Sequence, residues 1–378
     1  MSRLFISTVG TSLLTGVARD SGPEISHLLC ATANLRENEL DHEQKEAIKG
    51  LASKAETILL GASVSEACRR SAELNGILMY YGPGLRDRAN SQDSHFLIST
   101  DTFQGQITSG IVKQYLLNLG WRDVRVFGPP GLSTKDSRSF TSGVKTIVKW
   151  CKEEVSEYRK RGYHIVFNLV GGFKSLQGVM NTLGMFYADE IIYIFEAETA
   201  DLIRIPRLPI RMDVQPVLQE KTKIFLLLEN GYIAQRDDVQ DIPEIYLDCD
   251  EAGSCTLSEW GLLVWEENKR SILEAAPLLD FEGLIYEKSF VKDFERLEKT
   301  RRADVLATLA QVALIFKENG LAGLREHSGL QYKNYQGFGD KEIGHFRLNQ
   351  DWRVSCRAEG AALRLRHVGP HDYVNDNP

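Results

Sequence analysis

The sequence predicts an α/β multidomain protein, and three observations carry that expectation. Through residues 1–211, short apolar runs that end at glycine alternate with stretches of helical composition, the pattern of a doubly wound parallel sheet. A proline-bearing run, Ile205–Pro216, then interrupts the alternation and marks a boundary. The last stretch, Gly344–Val374, alternates with period two yet spends its non-apolar positions on Arg and His. At 378 residues the chain exceeds one ordinary domain. The expected organisation is a sheet domain over 1–211, a small mostly helical or winged-helix connector over 212–283, and an α+β domain over 284–378.

Taken in order, Arg3–Val9 reads as a strand ending at Gly10, and Glu43–Lys54 as a helix. Thr57–Leu60 reads as a strand before Gly61, Ser65–Leu74 as a helix, and Gly76–Tyr81 as strand-like. Phe96–Ser99 is a short strand and Gly105–Leu119 a helix stopped by Gly120. Val124–Phe127 is a strand before Gly128-Pro129-Pro130, and Phe140–Lys160 a long helix. His164–Val170, Ser175–Tyr187 and Glu190–Phe195 complete the domain as strand, helix and strand. In the connector, Phe225–Leu228 and Leu257–Ala276 read as helical. Phe290–Leu297 and Ala303–Asn319 are two further helices, with Gly320 a fitting stop. Two strands follow, joined by a turn at Glu359-Gly360.

Composition excludes several classes. Hydrophobic residues at 43% and charged residues at 26% are those of a globular chain, and no apolar run approaches about 20 residues. The N-terminus enters a strand directly, without signal-peptide layout. The six cysteines are scattered with no metal spacing, which predicts reduced thiols, no metal and a cytoplasmic location. Net charge is −7, but from Leu284 onward Lys and Arg number 15 against 13 acids. An acidic body with a slightly basic end argues against extensive duplex binding and leaves room for a local nucleic-acid contact at the end.

Two glycine turns carry the strongest local chemistry in the first domain. Gly10-Thr11-Ser12 follows the first strand, and Asn168 through Gly171-Gly172-Phe173-Lys174-Ser175 follows a later one. Loops at the C-terminal ends of parallel strands line the binding crevice of such sheets. The glycines let backbone approach a ligand, Thr11, Ser12 and Ser175 supply hydroxyls, and Lys174 brings positive charge beside a helix start. That set suits a phosphate-bearing ligand. Neither a dinucleotide fingerprint nor a P-loop is present, which disfavours an oxidoreductase. The polar stretch Ser99–Gly105 is a candidate third rim.

In the last domain, Phe346, Leu348, Trp352 and Val354 are placed to face a core, with His345, Arg347, Arg353 and Arg357 facing away. Four of the eight histidines lie after residue 320. A sheet face of cations and imidazoles with a nearby Tyr suits binding and cleavage of an RNA phosphodiester. The plainer alternative is a solvated edge sheet whose charges block aggregation.

The first domain resembles the CARF sensor domains of type III CRISPR ancillary proteins, on Val9–Ser12, Asn168–Ser175, Ser99–Gly105 and the run Leu202–Ile210. The resemblance implies a Rossmann-like fold that dimerises and binds a cyclic oligoadenylate, with cyclic tetra-adenylate the expected activator. It assigns Gly10, Thr11, Ser12, Asn168, Gly171, Gly172, Lys174 and Ser175 to the ring phosphates and riboses, with Ser12 and Lys174 as candidates for slow ring cleavage. The segment from Phe290 to Val374 resembles the RelE/HigB toxin fold, through Gly344–Leu348, Asp351–Val354 and His367–His371. Those toxins cleave mRNA in the ribosomal A site, which implies ribosome and mRNA as partners. Arg353 matches the arginine of the family's aromatic-Arg-hydrophobic strand motif, and Asp372-Tyr373 resembles the Asp-Tyr ending of the HigB branch. His371 stands where many members carry Arg, and no His follows the Tyr, so the general acid is not assigned by the resemblance.

The combined expectation is a ligand-gated endoribonuclease in antiviral defence, homodimeric, needing no cofactor and no membrane. Cleavage proceeds by 2′-hydroxyl attack. Arg353, Arg347 and Arg366 would stabilise phosphorane charge. His371 or His345 would move protons near neutral pH. Tyr373 would stack on a base or exchange a proton, and Lys341 would add positive potential. His367, on the opposite parity from Arg366, reads as structural. The main alternative is a ligand-sensing transcription regulator whose connector binds DNA, against which Glu259, Glu266 and Glu267 make the connector helix acidic. A RelE fold without catalysis is a further alternative.

Overall fold

A computed structural model describes residues 1–378 except 83–84, 86–91, 196–200, 211–214 and 336–342. The chain forms two compact units, Met1–Arg211 and Met212–Pro378. The division falls within the Ile205–Pro216 stretch. The expected segments 212–283 and 284–378 lie together in the second unit.

The first unit is built on a six-stranded sheet: β1 (Arg3–Thr8), β2 (Ser94–Ile98), β3 (Asp123–Phe127), β4 (His164–Asn168), β5 (Glu190–Ile194) and β6 (Leu202–Pro206). Their spatial order is β3-β2-β1-β4-β5-β6. Five strands are parallel, and β6 is an antiparallel edge on β5. Both faces are covered. Phe5, Leu97 and Val166 face one core with α1 (Ser12–Ser21), α3 (His42–Leu60) and α5 (Ala72–Tyr81). On the other side, Phe96 meets Trp150 of α7 (Ser137–Trp150), and Ile191 and Phe167 lie against Gly184 of α8 (Lys174–Tyr187). Strands buried on both faces need continuous apolar runs, which is why they were readable in the sequence.

Two expectations are corrected here. Thr57–Leu60 is the last turn of α3, and Gly76–Tyr81 lies inside α5, so neither is a strand. Short apolar runs fit both states, and the capping box at Asp41 and the Ser71 cap favour helix. Helices α2 (Pro23–Thr32), α4 (Val64–Arg70) and α6 (Phe103–Asn118) complete this layer. The long helix expected over Phe140–Lys160 is α7 continued through a π-helical turn, Cys151–Val155, into Ser156–Lys160.

The second unit begins with α9 (Pro216–Glu220) and α10 (Thr222–Glu229). A three-stranded antiparallel sheet follows, of order β7-β9-β8, from β7 (Ala234–Gln235), β8 (Leu247–Cys249) and β9 (Ser254–Leu257). Its register sets Cys249 opposite Cys255, and the two form a disulfide. The expectation of six thiols is therefore corrected at this pair: the hairpin was not visible in the sequence, so neither was the pairing. Cys30, Cys68, Cys151 and Cys356 are free. Helix α11 (Glu259–Ala275) is capped by Ser258 and packs on α13 (Lys299–Glu326). Gly320 (φ 58°) breaks α13, after which the helix resumes. Among the described residues, α13 is the helix long and apolar enough to cross a membrane, and its Val305, Leu306, Leu309 and Val312 are buried in this unit.

A five-stranded sheet of order β10-β14-β13-β12-β11 closes the unit: β10 (Leu284–Tyr286), β11 (Lys333–Asn334), β12 (Ile343–Arg347), β13 (Trp352–Glu359) and β14 (Ala362–Pro370). The expected turn sits between β13 and β14, with Gly360 at φ 59°. Helix α12 (Lys288–Arg296) packs on β14. The tail after β14 is a short helix, α14 (His371–Asp376).

Candidate functional site

In the first unit, strand order reverses between β1 and β4, and that is where ligands enter such sheets. The two glycine loops leave the C-terminal ends of these neighbouring strands and touch. A side chain on Gly10 would come within 3.2 Å of Gly172 N, and Gly172 adopts φ 97°. Beneath them lies Glu73, fully buried. Its Oε1 accepts from Gly10 N at 2.6 Å, and its Oε2 from Ser71 Oγ at 2.7 Å. A Cβ on Gly171 would lie 2.4 Å from that Oε1, so glycine there makes room for the carboxyl. Burial raises the Glu73 pKa, and the two hydrogen bonds oppose the rise only in part.

The expected ligand residues divide by exposure. Ser12, Lys174 and Ser175 are exposed, and Thr11 and Gly172 are half-buried. Asn168 is fully buried, its amide donating to Ser7 Oγ at 3.1 Å and to the Glu73 carbonyl at 2.9 Å. Its assignment to a ligand is corrected: it ties two strand ends together. Ser99, Thr100 and Thr102 are likewise buried, with Thr102 capping α6, so this stretch does not rim a site. A cleft of about 730 Å³ opens beside the loops, lined in part by Ser12, Arg19, Arg69, Arg70, Asn75 and Phe195. The three arginines make no ion pair among the described residues, and Phe195 is 62% exposed. None of these four was singled out in the sequence, because Arg19, Arg69 and Arg70 lie on helices whose faces were unassigned.

In the second unit, the register β12–β13–β14 gathers a cationic face. Arg347 stands opposite Arg353, which on its other side faces Gly369, and His345 stands opposite Ser355, which faces His367. Directly paired residues point to one face, so Arg347, Arg353, His345 and His367 share it, with Phe346, Val354 and Val368 on the other. Neither Arg347 nor Arg353 makes an ion pair among the described residues. Arg353 Nη1 donates to His345 Nε2 at 3.2 Å and to Asn375 Oδ1 at 3.4 Å. Burial and the neighbouring Arg347 lower the Arg353 pKa below the usual guanidinium value.

His345 is buried under the ring of Tyr335, centroids 4.7 Å apart. Burial first, then Arg353 and Arg347, lower its pKa to about 4. The expectation that His345 moves protons near neutral pH is corrected: it is a neutral acceptor that orients Arg353. Desolvation pushes Tyr335 up to about 12, and its hydroxyl donates to Asn375 Oδ1 at 3.0 Å. His371 is part-exposed, 2.7 Å from Asp372 Oδ1, and within reach of the Asn375 amide. Arg366 is drawn to Glu287, at 3.8 Å, and to the Pro378 carbonyl, so it does not join Arg353. Lys341 lies outside the described residues.

A register shift between Ser355 and Cys356 makes Arg366 the extra residue of a β-bulge. Parity therefore resets after it, and His367, read as structural, turns toward Arg353. Its Nδ1 lies 2.8 Å from Asp293 Oδ2, while Tyr373 Oη donates to Asp293 Oδ1 at 2.9 Å. Burial and this bond to Asp293 raise the Tyr373 pKa. A Cβ on Gly369 would meet Tyr373 Cδ1 at 2.6 Å, so the ring lies on the sheet where glycine leaves room. Asp293, Tyr335 and Asn375 belong to this constellation and were missed, since each lies on a different element from the alternating strands.

The first unit is thus an α/β domain with a basic cleft at its switch point, and the second carries, on an antiparallel sheet, an arginine pair that makes no ion pair among the described residues. Residues 68–208 match the family model of a CRISPR-associated protein (Cas_APE2256). The match falls within the first unit and supports a CRISPR-associated protein. No curated protein matches the chain.

Proposed function

We propose that this protein is an endoribonuclease activated by a cyclic oligoadenylate, cyclic tetra-adenylate in the first instance, acting on mRNA at the ribosome. The observation that carries the reading is the Arg347–Arg353 pair: two guanidinium groups on one sheet face, neither in ion-pair contact with a carboxylate among the described residues. Such a pair is costly to hold together unless an anion joins it, and a phosphodiester is the anion whose geometry suits two forks. Arg353, steered by His345 and Asn375, takes the charge that develops on phosphorus oxygens. Arg347 adds to the same field, and His371, part-exposed beside them, exchanges protons with the reacting oxygens.

Two features support the sensor half of the proposal. Arg19, Arg69 and Arg70 ring a cleft that also receives the Ser12 end of α1, a suitable setting for phosphates. The exposed Phe195 ring beside it offers a stacking surface for an adenine. The family match is in keeping with a role in CRISPR defence. The ring is held by two copies of this cleft in a homodimer, and its preference for one arrangement shifts the protein toward activity.

The test is a cell-free translation reaction with the purified protein, with and without cyclic tetra-adenylate, alongside Arg353→Ala. Toeprinting maps the mRNA ends relative to the ribosome. Ligand-dependent cuts at the A site that vanish in the variant are expected. Tight ligand binding with no cleavage in translating extract would overturn the nuclease half. A ligand-dependent gel shift with DNA would then favour the regulator.

A further inference from the structure

We infer that His367 is the general base of the cleavage step and Asp293 the residue that positions it, an inference that rests on the nuclease reading above. Asp293, on α12, is buried and accepts from His367 Nδ1, from Tyr373 Oη and, at 3.4 Å, from the Val368 amide. Ser289 Oγ of the same helix donates to the Arg366 carbonyl. Together they occupy the edge of β14 beyond the short β10. Helix α12 is thereby fixed against the one strand segment that carries His367.

The consequence is a defined tautomer. Asp293 holds the proton on Nδ1, which leaves Nε2 with a free lone pair. Nε2 makes no hydrogen bond among the described residues, and the side chain retains 20% of its exposure. A second residue fixes the ring's plane: the Tyr373 ring meets it edge-on, centroids 5.8 Å apart. On the sheet, His367 is the diagonal neighbour of Arg353, since Arg353 faces Gly369 and Ser355 faces His367. Such neighbours stand about 7–8 Å apart at Cα, room for one phosphodiester between an Arg fork and an imidazole. His345 lacks this capacity, because its Nε2 already accepts from Arg353. His371 has no buried carboxylate behind it, only the exposed Asp372.

In the step, His367 Nε2 takes the proton of the 2′-hydroxyl as O2′ bonds to phosphorus. The P–O5′ bond breaks, and the 5′-oxygen leaves with a proton handed on by His371, which regains it from solvent. Products are a 2′,3′-cyclic phosphate and a 5′-hydroxyl end, and the imidazolium returns its proton to water.

The experiment uses the full chain with cyclic tetra-adenylate and translating ribosomes, comparing wild type with His367→Gln, Asp293→Asn, Asp293→Glu and Arg353→Ala. His367→Gln is expected to slow cleavage about 10²–10⁴-fold while leaving ribosome binding and thermal unfolding unchanged. Asp293→Asn should slow cleavage as well, because the ring loses the carboxylate that fixes its tautomer. Asp293→Glu should restore part of the rate. Wild-type cleavage lost in Arg353→Ala but kept within a few-fold in His367→Gln would overturn this inference and leave the nuclease reading intact. No cleavage by wild type would overturn both.

Discussion

Glu73 offers the sharpest test of how the ligand loops are held. It is a fully buried carboxyl with two hydrogen bonds and, among the described residues, no ion pair, and it braces Gly10 from one loop and Gly171 from the other. Replacing it with Ala removes a methylene and the acceptor for Gly10 N–H. The methylene contributes about 0.8 kcal/mol and an orphaned buried donor costs about 1–3 kcal/mol, so Glu73→Ala should destabilise by roughly 2–4 kcal/mol. Glu73→Gln keeps an acceptor for Gly10 and can donate to Ser71 Oγ, so at low pH it should stay within about 1 kcal/mol of wild type.

The two differ in their response to pH. Burial raises the folded-state pKa of Glu73 above its ordinary 4.5, so the unfolded chain releases this proton first. The stability that Glu73 contributes is complete below pH 4.5 and is lost as pH rises toward the folded value. Across that window wild type should weaken relative to Glu73→Gln by up to about 1.4 kcal/mol per pH unit. Urea unfolding of both proteins at half-unit steps from pH 4 to 8 reads the difference directly. A difference curve that stays flat above pH 5 would refute the reasoning, because Glu73 would then ionise as easily folded as unfolded.

Three further outcomes follow from the geometry. Arg69→Glu should weaken cyclic tetra-adenylate binding about 10–100-fold and flatten its salt dependence, measured by calorimetry at two salt concentrations; an unchanged affinity would remove the cleft from the ligand site. Gly369→Ala drives a methyl into the Tyr373 ring, so it should cost about 1 kcal/mol, and much of that loss should be shared with Tyr373→Phe in a double-mutant cycle. Full additivity would mean the ring does not rest on Gly369. Reduction, or Cys249→Ser, opens a short loop and should lower the unfolding free energy of the second unit by about 2 kcal/mol; no shift in the urea midpoint on reduction would show the pair is not bonded in solution.

Parts of both sites were legible because their signals are local. A glycine turn after a strand buried on both faces announces itself, and so do Arg347 and Arg353 alternating with Phe346 and Val354. What escaped depends on distance in the chain. Glu73 sits in an ordinary helix start, and nothing near it shows that two loops, 63 and 98 residues away in sequence, will close over its carboxyl. The strands of the small sheet are two to four residues long, too short for a period to register.

The case of His367 is different, since the face assigned to it came from applying a correct rule across a break in it. Alternation puts Arg364 and Arg366 on one face and His367 on the other only if β14 pairs without interruption. Cys356 pairs with Leu365 but Ser355 with His367, so Arg366 is passed over and every later side chain changes sides. The bulge thus exchanges a flexible cation for an imidazole beside Arg353, and it releases Arg366 to Glu287. On the proposed reading, a phosphodiester on that face takes its positive charge from Arg347 and Arg353, and the bulge adds an imidazole whose Nε2 is open, where that of His345 already accepts from Arg353. One inserted residue makes that exchange, so on the same reading the register irregularity belongs to the chemistry of the face as well as to its packing.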